Sequence, residues 1–215
     1  MWVNKNMIDS VFGEGYNIMK KVLFATTNPA KIKKYAKELR KRNIEVITIK
    51  DLGINIPIDE NGKDAIENAA IKAKAYYDAT KITTIGMDNN LFIEEIPKEK
   101  QPGTHVRRVN GKTLTDDEMI TYYTNLVKKY GGRLTAKWVY GMVIYNGKEK
   151  KALSWSKSHF YFVETPCEKR NPGYPLDSIS IIPEHNKYLV ELTKEELEKN
   201  KSKNDKVIDF IVNNI

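Results

Sequence analysis

The chain reads as an α/β protein built on a mixed sheet. Three observations predict this class. Strand-length apolar runs alternate with helix-period patterns through the first ninety residues, which is the signature of parallel pairing. A long β-rich stretch in the middle is followed by Asn146-Gly147 and a return strand, which adds antiparallel pairing. The 215 residues, 40% hydrophobic and 30% charged, fit one sizeable globular domain.

The elements follow in order. Residues 22–25 (Val-Leu-Phe-Ala) form a short buried strand, and the turn Thr26-Thr27-Asn28 leads into a helix over 29–42. Ile32, Tyr35, Ala36 and Leu39 share one face of that helix, Asn28 and Pro29 suit its start, and Asn43 suits its end. A second strand covers 44–49 and a loop covers 53–62. Asp64 caps a helix to about residue 79, with Glu67 completing a capping-box pair and Ile66, Ala69, Ala70, Ala73 and Tyr77 as its buried stripe. A strand over 83–87 ends at Asp88-Asn89-Asn90, and residues 91–96 continue extended.

A polar loop runs through Gly103. Thr115 and Glu118 form a capping box for a helix to Tyr130, which Gly131-Gly132 ends. Strands are expected over 134–145, 151–156 and 159–163, and a proline-bearing loop over 172–183. A helix starts at Thr193, and a last helix carries Ile208, Ile211, Val212 and Ile215. Residues 1–16 have little periodicity, and Met19-Lys20-Lys21 looks like a natural start. Gly13-Glu14-Gly15 could be a translated ribosome-binding site. Residues 1–18 are therefore expected to be an N-terminal extension and 19–215 the domain.

Composition narrows the function. No apolar run approaches the roughly 20 residues of a membrane span, and the first residues hold no long apolar stretch of the secretory type. The single cysteine, Cys167, permits no internal disulfide and no Cys-rich zinc site, so a reducing cytoplasm is the expectation. Its acidic neighbours Glu164 and Glu168 disfavour a thiolate nucleophile. The net charge of +8 comes from lysines scattered along helix faces, so nucleic acid is not the expected partner.

Four segments could carry chemistry. The turn between the first strand and helix offers backbone N–H groups and the positive end of a helix dipole, with Thr26, Asn28 and Lys31 beside them. That suits a polyphosphate, although Asn28-Pro29 would also serve merely to start a helix. Asn68 and Lys72 are four apart and share a face, so Lys72 can reach a ligand beside its helix or be a solvated surface lysine. Asp88 at a strand end suits a metal or base position, or an Asp-Asn turn. In Gly173-Tyr174-Pro175-Leu176-Asp177, Tyr174 could stack on a base and Asp177 accept from its edge, or the loop could simply be rigid.

Taken together, Ala-Thr-x-Asn-x-x-Lys (25–31), Glu-Asn-Ala-x-x-Lys-Ala (67–73), the strand aspartate and Pro-Gly-x-x-x-x-Arg (102–108) closely resemble the inosine triphosphate pyrophosphatase family. Pro183 and Glu191-Leu192-Thr193 extend the resemblance, which covers roughly residues 20–203. It implies a two-lobed α/β fold with a long mixed central sheet, flanking helices and an active-site cleft between the lobes. It also implies a homodimer and Mg²⁺-dependent cleavage of non-canonical purine nucleoside triphosphates to monophosphate and pyrophosphate. By position, Thr26, Asn28 and Lys31 would hold the triphosphate, and Lys72 would neutralise its charge. Asp88 would activate water and share Mg²⁺ with Glu60. Tyr174 stands at the base-stacking position, Asp177 at the base-reading one, and Lys203 in the base-contacting tail.

The chain departs from the family pattern in places. Met87 replaces the first of two adjacent acids, and Asn89-Asn90 the small pair after them. Lys34 replaces an acid, and Lys201-Ser202-Lys203 replaces Ser-His-Arg. An alternative reading is therefore a nucleotide-binding relative that has lost turnover. A nucleic-acid binder, resting on charge alone, is the third.

Overall fold

The computed structural model describes residues 19–199 and 204–215. The expected extension over 1–18 and the tail residue Lys203 lie outside the described residues. Strand β1 (Lys20–Ala25) buries Val22, Leu23 and Phe24 completely, as an apolar run covered on both faces must. It pairs in parallel with β2 (Ile44–Thr48) and with the start of β3 (Thr84–Ile93). Helix α1 (Pro29–Lys41) crosses between β1 and β2 and buries Tyr35, Ala36 and Leu39; the turn that stops it reaches Asn43, whose φ of 61° is the left-handed stop expected there.

The sheet turns antiparallel at β6 (Arg133–Tyr145), which pairs with all ten residues of β3, from Thr84↔Tyr145 to Ile93↔Ala136. The far edge of β6 is shared between β7 (Lys150–Ser156) and β8 (Phe160–Val163). With β9 (Ser180–Ile182) and β10 (Lys187–Tyr188), the eight-stranded sheet has the order β10-β9-β8-β6-β3-β1-β2, with β7 pairing β6. Arg108–Val109 (β4) and Lys112–Thr113 (β5) make a separate small hairpin.

Helix α2 (Ala65–Thr80) lies directly on one face of the sheet. A Cβ at Gly86 would meet the Ala69 carbonyl oxygen at 1.9 Å, and one at Gly141 would meet Ala65 at 2.5 Å. The opposite face gathers Phe24, Tyr35, Met87 and Met142 under α1 and the last helix, α5 (Asn204–Asn214). A second core lies beyond Leu91, where α3 (Asp116–Lys129), β8 and the 3₁₀ turn Pro175–Ser178 meet over Tyr123, Phe162, Leu176 and Ile179. The two lobes share β3 and β6. This is the expected α/β architecture with a long mixed sheet and flanking helices.

Several local expectations change. The strand carrying Asp88 does not end there: Asp88 is its fifth residue, because pairing with β6 holds Asn89-Asn90 extended. Helix α2 buries Ala65, Asn68, Ala69, Ala73 and Tyr76, so its inward face is turned relative to the expected stripe, and Ile66, Ala70 and Tyr77 pack at its rim. Asp64 caps α2 by accepting from Ile66 and Glu67 N–H, but the Glu67 carboxylate accepts from Lys63 N–H, so the box is not reciprocal. The box at Thr115 and Glu118 is complete. The region 172–183 is not all loop, since it forms the 3₁₀ turn and β9. Thr193 and Glu196 cap the short α4 (Lys194–Lys199) reciprocally.

Candidate active site

Sheet topology leaves one stretch of β3 open. β1 stays paired with β3 only as far as Ala25↔Gly86, and the next attachment is the bridge from Leu91 to Gly103. Between them, among the described residues, no strand covers the outer edge of residues 87–90. This places Asp88 at a gap beside the end of β1 and the start of α1, where the sheet edge is open as it would be at a strand end.

The turn after β1 is shaped by its own side chains. Thr26 Oγ1 accepts from Asn28 N–H at 3.2 Å, and Asn28 Oδ1 accepts from Lys31 N–H at 3.4 Å, the geometry of a helix N-cap. Asn28 thus fulfils its structural role whatever else it contacts. Lys31 follows on the first turn of α1. Burial is the main influence on its amine and pushes its pKa down; Asp88 opposes this, Lys72 adds to it, and Glu60 opposes it. Lys31, Lys72, Asp88 and Glu60 therefore share one electrostatic environment.

Lys72 Nζ lies 2.8 Å from Glu60 Oε2 and 3.6 Å from Asp88 Oδ1. Its side chain is only 13% exposed, so it is no solvated surface lysine. Asp88 Oδ1 also accepts from Asn89 N–H at 2.9 Å, whereas Asp88 Oδ2 is buried without a hydrogen-bond partner. Asn68, one helical turn before Lys72, is fully buried and accepts from Gly62 N–H at 2.7 Å, tying the loop that carries Glu60 to α2. The sequence reading put Asn68 on the Lys72 face but missed this clamp. The chain thus gathers Lys31, Glu60, Lys72 and Asp88 from α1, a loop, α2 and β3.

Met87 belongs to the other face. It is 3% exposed and packs in the cluster of Phe24, Tyr35 and Met142. Strand alternation points neighbouring residues to opposite sides of a sheet. An acid at position 87 would therefore point away from the side on which Asp88 meets Lys72.

A second polar group forms near the 3₁₀ turn. Asp177 accepts from Asn171 Nδ2 at 2.9 Å. Burial raises its carboxyl pKa, while Asn171 and then Lys157 hold it down. Burial lowers the pKa of Lys157, and Asp177 opposes that. Lys157 Nζ lies 5.7 Å from the Tyr140 ring, which stacks on Trp155 at 5.4 Å and 13°. The Tyr140 hydroxyl is pushed up to about 12 by burial and then by Asp177. Tyr140 pairs with Asn89 across β3 and β6 and stacks on Trp155 of the Met87 cluster, so this group begins one residue along β3 from Asp88 and on the other face of the sheet. Tyr174 is 43% exposed at the head of the turn, where its carbonyl accepts from Asp177 N–H at 3.1 Å. Sequence reading singled out Tyr174 and Asp177 but not Lys157, Tyr140 or Trp155, whose meeting depends on register.

A hard divalent cation fits the donor set at Asp88. Two carboxylates with an orphaned buried oxygen suit Mg²⁺, which takes few protein oxygens and keeps waters. The described residues hold no cluster of three or more His, Cys, Asp or Glu, so a cation here would rest on two carboxylates and other oxygens. A separate concavity of about 620 Å³ on the outer flank of α1 shares Thr26 and Thr27 but is lined by Lys33, Arg40 and Lys50, not by Lys72 or Asp88.

Comparison with known proteins supplies a family. The model of the Ham1 family matches residues 22–206. A dITP/XTP pyrophosphatase of Wigglesworthia glossinidia brevipalpis is 31% identical over 182 residues, covering 83% of this chain and 88% of that protein. The dITP/XTP pyrophosphatase of Bacillus subtilis (strain 168) is 29% identical over 184 residues, covering 85% and 90%. Among solved structures, the Staphylococcus aureus Ham1 protein superposes with a TM-score of 0.73 at 22% identity, covering 90% of this chain and 99% of that one, which shows the fold.

Proposed function

We propose, on the premise that the chain belongs to the Ham1 family, that it hydrolyses non-canonical purine nucleoside triphosphates to the monophosphate and pyrophosphate. The observation that carries this reading is the convergence of Lys31, Lys72, Glu60 and Asp88 at the open edge of β3. The names of the relatives, dITP/XTP pyrophosphatases, support the substrate class.

Triphosphate cleavage is chiefly a matter of positioning and charge neutralisation. Lys31 and the N–H groups at the start of α1 take the phosphates on one side, and Lys72 takes them on the other, with Thr26 and Asn28 shaping the turn. The Asp88 carboxylate accepts the proton of the water attacking the α-phosphorus, and pyrophosphate leaves. Asp88 and Glu60 would hold Mg²⁺, which supplies Lewis-acid stabilisation of the phosphate oxygens. At the other end, Tyr174 stacks on the purine. Asp177 accepts from its N1–H, and Lys157 donates to the 6-oxo group. A 6-aminopurine presents the opposite pattern on both atoms, so it is disfavoured.

The binding-only alternative is not favoured. The matched relatives are named as enzymes, and the acid missing at position 87 would face away from Lys72. The proposal includes a homodimer and a cytoplasmic location, supported by the family resemblance and by the lone Cys167 respectively. No helix among the described residues is long and apolar enough to cross a membrane.

The test is a panel of nucleoside triphosphates with Mg²⁺ and pyrophosphate detection. ITP, dITP and XTP are expected to release pyrophosphate far faster than ATP. Asp88→Asn should lower kcat by about a hundredfold or more while nucleotide still binds, and Lys157→Met should narrow the preference for ITP over ATP. No pyrophosphate from any triphosphate would overturn the reading.

A further inference from the structure

Two buried oxygens on β3 have no hydrogen-bond partner: Asp88 Oδ2 and Asn90 Oδ1. Residues two apart on a strand point the same way, so both lie on the side covered by α2. Asp88 is 8% exposed. A third orphaned atom, Asn68 Nδ2, belongs to α2 itself, one turn before Lys72. Buried polar atoms are normally satisfied, and each exception requires an explanation. Three exceptions fall on the facing sides of α2 and β3, where β3 lacks a neighbour, and call for a shared explanation.

The chemistry of the three atoms indicates the occupant. Two are acceptors, one of them a carboxylate oxygen, and they call for a cation. The third is a donor and calls for a water oxygen. A hydrated divalent cation meets both demands. Lys72 already places a positive charge between Glu60 and Asp88, but it approaches Asp88 through Oδ1. That leaves Oδ2 for the cation.

We propose that Asn90 gives its side-chain carbonyl oxygen to the divalent cation held by Asp88 and Glu60, as a third protein ligand. Hard cations accept amide oxygens alongside carboxylates. A neutral ligand at position 90 adds coordination without adding charge. This inference rests on the proposed function for the cation's presence but concerns only which oxygens hold it.

The test is Mn²⁺ binding, followed by electron paramagnetic resonance, to the full chain alone and with the imido analogue of ITP. Asn90→Leu should weaken Mn²⁺ binding by about tenfold, and Asn90→Asp should tighten it. Circular dichroism confirms that each variant is folded, and Asn90→Asp, nearly identical in shape, carries the test if Asn90→Leu does not fold. Asp88→Asn, with most of its Mn²⁺ binding lost, is the reference. Unchanged affinity in both Asn90 variants, or no Mn²⁺ binding by the unmodified protein under either condition, overturns the proposal. Mn²⁺ binding that depends on Asn90 in a protein releasing no pyrophosphate would leave it standing and remove the hydrolase reading.

Discussion

Lys31 shows what a charge proposed to hold phosphates costs the protein that carries it. Its amine is desolvated without a hydrogen-bonded carboxylate close enough to compensate fully, so its pKa lies below the ordinary lysine value. The unfolded chain then binds more protons than the folded one between that lowered pKa and about 10.4. Stability therefore rises with pH across this window and is penalised below it. Lys31→Met should raise the melting temperature of the nucleotide-free protein at pH 7, and the gain should shrink as the pH climbs towards 10.5. The same variant should raise KM for ITP, because a charge facing the phosphates is gone. Thermal melts of both proteins across the pH range, with steady-state kinetics, check this. A variant that melts lower at pH 7 would show that Lys31 is stabilised by Asp88 and Glu60 more than it is penalised by burial.

At the scale of elements, close approach decides what the sequence can change. Gly86 and Gly141 lie on neighbouring strands under α2, and at each a Cβ would strike helix backbone rather than a flexible side chain. Gly86→Ala must push α2 away from β3, loosening the seam that sets Lys72 against Asp88. Overpacking of this kind costs about 3 kcal/mol or more, and denaturant titration should show it together with a fall in kcat. This seam also shows what could be read beforehand. The unit from β1 through the Thr26–Asn28 turn to α1 was legible because period, cap and turn residues agree locally. Asp88 was recognised as important yet assigned to a strand end, because Asn89-Asn90 has turn chemistry and its extension is imposed by pairing with β6. Lys157 and Tyr140 carried no local signal, since only the register of β6 and β7 brings them to Asp177. The prolines of 172–183 read as loop, while its 3₁₀ turn and β9 depend on packing against α3 and β8.

On the proposed function, the whole molecule divides a nucleotide between two cores. The proposed phosphate residues Lys31 and Lys72 stand on helices packed against the core around β1 to β3. Asp177 stands in a turn whose Leu176 and Ile179 belong to the second core. Among the described residues only β3 and β6 run through both, and the Asn89↔Tyr140 pair marks the passage between them. A triphosphate without a base should therefore engage one lobe, while a complete nucleotide should engage both. Hydrogen–deuterium exchange on Asp88→Asn, which is expected to hold the phosphates through Lys31 and Lys72 without turnover, can separate these cases. Tripolyphosphate with Mg²⁺ should protect segments 26–31 and 60–72 and leave 171–178 unchanged. ITP should protect all three, because contacts from Tyr174 and Asp177 restrain a loop otherwise tied down by Gly173 N–H to Asp116 and by Asn171. Equal protection of 171–178 by both ligands would mean that the lobes move as one body whatever is bound. Protection of 171–178 by neither would place the base elsewhere and withdraw Asp177 from its recognition.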